Sequence, residues 1–332
     1  MSLESWPQMG IGANEGGPPR SDACYQPGAS WTELGLELDG DTPSVAVAPD
    51  DSVWVFHRGI DPVVHLDRDG SVLARWGGDE FVRPHGITID RFGDVYLVDE
   101  LAHTVEKRAP DGTLLLRLGT PGVPVAAHSG GTFNRPTAVA IDPNNGDLFV
   151  SDGYANSAIH RFRRDGEHLL SWGAPGSRIG CFSLPHHIAF LDADLLVVSD
   201  RENFRLQYFD RLGIAKGHLH CHRPCAAVPF DYDGETLLLI AELGASGIQR
   251  DVPGLGRRIV AVDARGMERL SFEGPTEAPL VAPHDIAVDS NGCVYIAEVA
   301  MSWLRYAYDQ TPEEPPASLS RWVPAPSPPR AR

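Results

Sequence analysis

The chain has 332 residues, 42% of them hydrophobic and 22% charged, which is the composition of a soluble globular protein with no apolar run long enough to span a bilayer. Its formal net charge of −17 repels nucleic-acid phosphates and anionic lipid headgroups, so neither nucleic acid nor a membrane surface is expected as a partner. The 34 glycines and 28 prolines imply many turns and favour an all-β protein. Five cysteines, Cys24, Cys181, Cys221, Cys225 and Cys293, are odd in number and irregularly spaced, so they do not read as a disulfide framework. The N-terminus shows no basic segment followed by an apolar one, and a reducing cytoplasm is the expected location.

In chain order, residues 1–30 read as an irregular Gly/Pro-rich segment, residues 31–310 as one repeat domain and residues 311–332 as a Pro-rich extended tail. Within the domain a pattern recurs: Pro, alternating aliphatics, an Asp/Gly/Asn turn, then a second alternating run that ends in Asp or Glu. Clear copies are RPHGITIDRFGDVYLVDE (83–100), RPTAVAIDPNNGDLFVSDG (135–153), LPHHIAFLDADLLVVSDR (184–201) and APHDIAVDSNGCVYIAEV (282–299). Weaker copies start near Pro43 and Pro224. Each copy is a β-hairpin by its period of two and its turn chemistry. A third and a fourth short run follow in most copies, for example TVEKRAP and TLLLRLG. Six such repeats predict a six-bladed β-propeller, with four-stranded antiparallel blades around a central channel. Residues 31–38, WTELGLEL, are expected to add an outer strand to the last blade and close the ring.

Pro-His occurs three times, at His85, His186 and His284, each time with Ile two residues after the histidine. Chance placement would give about one such dipeptide. The histidines are 101 and 98 residues apart, two repeats in each interval. In a six-blade ring they occupy blades 2, 4 and 6 at one level of the innermost strands, where three imidazoles converge on the axis. A tris-His set with an open fourth position points to a catalytic divalent metal, with zinc first and iron, manganese or cobalt left open. The segment HLHCHRPC (218–225), with His218, His220, Cys221, His222 and Cys225, reads as a rim loop that could carry a second metal or substrate role. His57 and His103 are candidate pocket or supporting residues.

The stretch from about 42 to 306 resembles the peptidyl-α-hydroxyglycine α-amidating lyases, six-bladed propellers of NHL-type repeats. The motifs that carry the resemblance are VFHRG (55–59), PHGITID (84–90), DELAHTV (99–105), DGYANS (152–157), FSLPHHIAF (182–190), SDRENFRLQYF (199–209) and APHDIAVD (282–289). The resemblance implies that His85, His186 and His284 bind zinc, that Tyr154 is the catalytic tyrosine and that Arg58 and Arg201 are active-site arginines. It also implies a structural calcium held by the Asp285 carboxylate and the backbone carbonyls of Val45 and Ile87. The implied chemistry cleaves a carbinolamide to an amide and an aldehyde. Tyr154 would take part as base, and Arg58 or Arg201 would hold a carboxylate of a small-molecule substrate or stabilise developing charge. Ala155 stands where the family has a disulfide-bonded cysteine, and blade 6 continues as EVAMSWLRYAY. Two alternatives remain at this level: a metal-dependent hydratase or lactonase-like hydrolase, and a non-catalytic interaction propeller.

Overall fold

A computed structural model describes residues 25–29, 31, 35–245, 255–275, 279–314 and 316–325. Cys24, most of the 1–30 segment, part of WTELGLEL and residues 326–332 lie outside the described residues. Strand β1 (Tyr25–Pro27) comes first. Blade 1 follows with β2 (Ser44–Val47), β3 (Val53–Phe56), β4 (Val63–Leu66) and β5 (Val72–Trp76). Blade 2 is β6 (Pro84–Ile89), β7 (Val95–Asp99), β8 (Thr104–Arg108) and β9 (Leu114–Leu118). Blade 3 is β10 (Ala138–Ile141), β11 (Leu148–Asp152), β12 (Ala158–Phe162) and β13 (His168–Trp172). Blade 4 is β14 (Pro185–Phe190), β15 (Leu196–Asp200), β16 (Arg205–Phe209) and β17 (Ala215–His220). Blade 5 is β18 (Pro224–Tyr232), β19 (Glu235–Glu242), β20 (Arg258–Val262) and β21 (Glu268–Phe272). Blade 6 contains β22 (Pro283–Val288), β23 (Val294–Glu298) and β24 (Leu319–Pro324), with helix α1 (Ala300–Tyr308) between the last two. Each blade is an antiparallel four-stranded sheet, and the six blades form the expected β-propeller.

The second strand of a blade is buried on both faces, and its side chains alternate between two inter-blade cores. Val53 and Val55 pack toward blade 6, whereas Trp54 and Phe56 pack toward blade 2. Val95 and Leu97 then face blade 1 while Tyr96 and Val98 face blade 3. Such a wedge of apolar side chains fills each blade boundary around the ring.

The acid that ends the repeat motif has a local task. Asp99, Asp200, Glu242 and Glu298 accept backbone N–H groups of the loop that enters their own blade: Arg83, Ser183, His222 and Ala282, at 2.7–2.9 Å. Asp152 does the same for Asn134. These acids fix the loops from which the innermost strands start.

The chain ends depart from expectation. The fourth strand of blade 6 is β1, paired with β24, so Tyr25–Pro27 closes the ring in place of WTELGLEL. From 31–38, Trp31 and Leu36 instead pack into the core between blades 6 and 1. The C-terminal segment is not all tail, because β24 pairs with β23 and Trp322 is buried. Trp322 packs on Phe272 of blade 5 with ring centroids 4.8 Å apart, and Tyr25 stacks on the same ring at 5.5 Å. Prolines frame this strand without interrupting its ladder, which explains why a Pro-rich composition conceals it. No helix among the described residues is long and apolar enough to cross a membrane.

Trp322→Ala removes the anchor of a strand that closes the ring. It is expected to lower unfolding free energy by about 3–5 kcal/mol, measured by urea denaturation.

Candidate metal centre

The three Pro-His histidines meet on the axis, with ligand atoms all within 4.8 Å of one another. Ring centroids are 4.9 Å (His85–His186), 5.0 Å (His85–His284) and 4.5 Å (His186–His284) apart. A β-bulge positions each one. Pro84 pairs with Asp99 but Gly86 pairs with Val98, leaving His85 as the extra residue on the innermost strand. The register slips in the same way across His186 and His284. A bulge re-aims its extra side chain, here toward the channel.

Each histidine also hydrogen-bonds through Nδ1 to a backbone carbonyl of the next blade: His85 to Thr137 at 2.7 Å, His186 to Cys225 at 2.8 Å and His284 to Pro43 at 2.7 Å. A carbonyl only accepts, so every Nδ1 carries the proton and every Nε2 presents a lone pair. Gly86 makes room for the first of these bonds, since a Cβ there would sit 2.7 Å from the Thr137 carbonyl oxygen. Burial, reinforced by neighbouring guanidinium groups, holds all three histidines well below their ordinary pKa of 6.5 and keeps them neutral. Three neutral, pre-oriented imidazoles fit a divalent transition metal, and their outer nitrogens are held as metal-ligating histidines usually are.

Tyr154 borders two members of this set. Its hydroxyl lies 3.2 Å from His85 Nε2 and 3.5 Å from His186 Nε2. Burial raises its pKa, while Arg201 and Arg58 pull the other way. The Arg201 guanidinium carbon is 5.7 Å from the ring centroid of Tyr154. Its Nε donates to Glu202 at 2.8 Å. Burial opposes the charge of Arg201, but Tyr154, Cys225 and Glu202 outweigh it and raise its pKa. Arg58 donates from Nε to the Pro84 carbonyl at 3.2 Å and from Nη1 to Ser302 of α1 at 3.4 Å. Burial and the nearby Arg83 lower its pKa from a very high starting point, and the guanidinium stays charged. The structure brings His85, His186, His284, Tyr154, Arg58 and Arg201 into one neighbourhood at the axis.

Asp285 lies below this centre on β22. It accepts the Ser44 hydroxyl and the Val45 N–H, the latter at 3.4 Å, while Ile87 N–H donates to Ser44 Oγ at 2.9 Å. A strand residue sends its N–H and C=O out on the same side, so Val45 and Ile87 turn their carbonyls toward this region too. His187 Nε2 is 3.7 Å from Asp285 Oδ1. Burial pushes the Asp285 carboxyl up to about 7 and the His187 imidazole down to about 4. One carboxylate and two carbonyls fit a hard, oxygen-ligated cation. A cavity of about 20 Å³, near the size of a single water, separates the two levels of the channel.

Other sequence candidates play supporting parts. His57 accepts the Gly59 N–H at 3.2 Å and lies 3.2 Å from the Asp61 carbonyl, shaping the loop that carries Arg58. His103 accepts the Arg135 N–H at 3.1 Å. HLHCHRPC is not a rim insertion: His218 and His220 end the outer strand of blade 4, and Cys225 begins the inner strand of blade 5. Of that segment, the Cys225 carbonyl serves the centre by orienting His186.

The sequence reading missed Arg83, Glu100, Arg135, Asp41 and Ser302. Glu100, fully buried, bonds Arg83 Nε at 2.9 Å and Arg135 Nε at 2.8 Å. Arg135 lies 4.9 Å from the Tyr154 ring centroid. Asp41 accepts the Met301 N–H at 2.9 Å and the Ser302 hydroxyl, which docks α1 beside Arg58. The available signal was the dipeptide Arg-Pro, which puts Arg83, Arg135 and Arg223 at the entry of three innermost strands.

Fold and site together define an NHL-type six-bladed propeller with a three-histidine axial centre. The NHL repeat family matches residues 133–162, in blade 3. The chain is 29% identical over 315 residues to the peptidylglycine alpha-amidating monooxygenase of Rattus norvegicus, covering 84% of this chain and 31% of that protein. It is 31% identical over 262 residues to peptidyl-alpha-hydroxyglycine alpha-amidating lyase 1 of Drosophila melanogaster, covering 69% and 45%. It spans between 26% and 35% of the length of the amidating monooxygenases it matches. Among solved structures, a streptogramin B lyase shares the fold, with a TM-score of 0.56 at 16% identity over 80% of each chain. The chain belongs to the peptidyl-α-hydroxyglycine α-amidating lyase family of NHL-repeat propellers.

His186→Ala is expected to remove stoichiometric transition metal from the purified protein, read by elemental analysis. Its far-UV circular dichroism should remain that of the parent, because the blade cores do not include this side chain.

Proposed function

We propose that this chain is a metal-dependent C–N lyase that cleaves an α-hydroxylated amide, R–CO–NH–CH(OH)–COO⁻, to R–CO–NH2 and glyoxylate, or acts on a closely related small hydroxy acid. The observation that carries the reading is the convergence of three histidine ligand atoms within 4.8 Å of one another, with the Tyr154 hydroxyl beside two of them, His85 and His186, and Arg58 and Arg201 alongside. His85, His186 and His284 would hold the metal, zinc by the tetrahedral preference of imidazole donors. When bound, such an ion supplies Lewis-acid polarisation that makes a hydroxyl easier to deprotonate.

The residues of the chain do the rest. Arg58 and Arg201 bind the substrate carboxylate and set the carbinol carbon near Tyr154. Tyr154 accepts the hydroxyl proton at Oη in its phenolate form. Burial holds its pKa above the ordinary 10 and opposes that form, Arg201 and Arg58 work toward it, and a divalent cation held by the histidines would work the same way. The electron pair left on the oxygen forms the carbonyl as the C–N bond breaks, and the C–N pair leaves with the nitrogen. The same proton returns from Oη to the departing nitrogen, so the tyrosine is unchanged over the cycle. Helix α1, docked through Asp41, holds Arg58 in place through Ser302.

The reading includes a structural calcium ligated by the Asp285 carboxylate and the Val45 and Ile87 carbonyls, which would tie blades 6, 1 and 2 together. A divalent cation there would also draw the Asp285 pKa back down and keep its carboxylate ionised. A cytoplasmic setting is part of the proposal, supported by four free thiols, Cys181, Cys221, Cys225 and Cys293.

Glyoxylate release from N-acyl-α-hydroxyglycines tests the activity, and zinc-loaded protein that leaves them intact refutes it. Tyr154→Phe is expected to lower kcat about 10²- to 10⁴-fold with metal retained. Asp285→Ala is expected to lose calcium, keep zinc and lower Tm by several degrees, read by elemental analysis and calorimetry.

A further inference from the structure

The mouth holds more guanidinium than the proposed substrate uses. Five arginines, Arg58, Arg83, Arg135, Arg201 and Arg223, meet three carboxylates, Asp41, Glu100 and Glu202. This surplus sits in a chain of net charge −17.

The five are not equivalent. Arg58 and Arg201 form an inner pair, with side chains 14% and 10% exposed. Arg223 is closed off: it bonds Glu202 at 2.6 Å and the Gly244 carbonyl at 3.1 Å, lies 5.0 Å from the Trp303 ring centroid and is buried. Arg83 and Arg135 form an outer pair, each with a side chain 38% exposed. They share Glu100, itself only 1% exposed, which leaves one positive charge uncompensated. Among the described residues Arg83 bonds Glu100 through Nε alone, so its terminal nitrogens remain for another acceptor.

The outer pair is tied to the inner site. The Arg135 carbonyl accepts the Tyr154 N–H at 3.3 Å, and the Arg83 carbonyl accepts the Glu100 N–H at 3.1 Å. Arg58 bonds the carbonyl of Pro84, the residue after Arg83. A buried carboxylate holding two half-exposed guanidinium forks is a preorganised receptor for a second planar anion.

We infer that Arg83 and Arg135 form an outer anion subsite, and that the preferred substrate is dianionic, with a second carboxylate at the end of its acyl group. The inference rests on the lyase reading for the position of the acyl group. The inner pair takes the carboxylate on the carbinol carbon, and the outer pair takes the one at the far end. Charge on the substrate at both ends fits a mouth with two separated cationic pairs better than a long neutral chain does.

The test compares N-succinyl-α-hydroxyglycine with N-butyryl-α-hydroxyglycine, equal in chain length and different by one carboxylate. The succinyl compound should have kcat/KM more than about tenfold higher, mainly through KM, because ground-state and transition-state binding gain alike. In Arg83→Gln that ratio should collapse toward one, and Arg83→Lys should restore part of it. A ratio near one in the parent protein, or a full ratio retained in Arg83→Gln, overturns the subsite. If neither compound is cleaved, the lyase reading fails, and the subsite is then decided by calorimetry of the zinc-loaded protein. N-succinylglycine binding at least tenfold tighter than N-butyrylglycine, with the difference lost in Arg83→Gln, upholds it; equal binding overturns it.

Discussion

Three hydrogen bonds that cross blade boundaries govern the centre of this molecule: His85 to Thr137, His186 to Cys225 and His284 to Pro43. Each runs from an even blade to the next one round, so the threefold set on the axis exists only because the sheet of each neighbour is in place. Individually such a bond contributes only about 1 kcal/mol to stability. Their larger effect is on chemistry: a carbonyl at Nδ1 fixes the tautomer, and the tautomer fixes which nitrogen faces the axis. The β-bulges supply the aim and the bonds supply the proton position. Burial then keeps the rings neutral, which is the form in which an imidazole can act as a ligand.

Charge is distributed by depth. Acids dominate the chain as a whole, and those that end the second strands spend their oxygens on backbone N–H groups of the entry loops. Guanidinium groups collect at the mouth, where three of the entry loops carry an arginine: Arg83, Arg135 and Arg223. A cationic mouth on an acidic body concentrates an anionic substrate at one point of the surface and repels it elsewhere. The same arginines bear on Tyr154, so in the proposed lyase binding and proton transfer would depend on one electrostatic environment.

The repeat and the axial histidines were legible because they are periodic. Pro-His recurs every two repeats, and a ring of six turns that spacing into a threefold axis. Features outside the period were not legible. Leu319–Pro324 pairs as a strand although prolines surround it, since only the tertiary partner β23 distinguishes it from a tail. AMSWLRYAY becomes a helix between two neighbouring strands of its sheet, a link that blades 2, 3 and 4 make in four or five residues. His218 and His220 looked like a metal motif by composition, yet strand geometry sends them to an outer edge, away from Cys225 at the axis. Arg83 and Arg135 carried a sequence signal in Arg-Pro, but their joint use of Glu100 depends on a contact between blades 2 and 3 that no local pattern encodes.

The closure of blade 6 has a consequence for the centre. The acceptor of the His284 bond, Pro43, lies 241 residues earlier in the chain, and the outer strands of the same blade come from opposite ends. The third imidazole gains its orientation only when blade 6 meets the segment that enters blade 1, so ring closure and the His284 bond form together. A ring that has not closed lacks one of its three oriented imidazoles, so the three-histidine geometry is itself a marker of closure between blades 6 and 1.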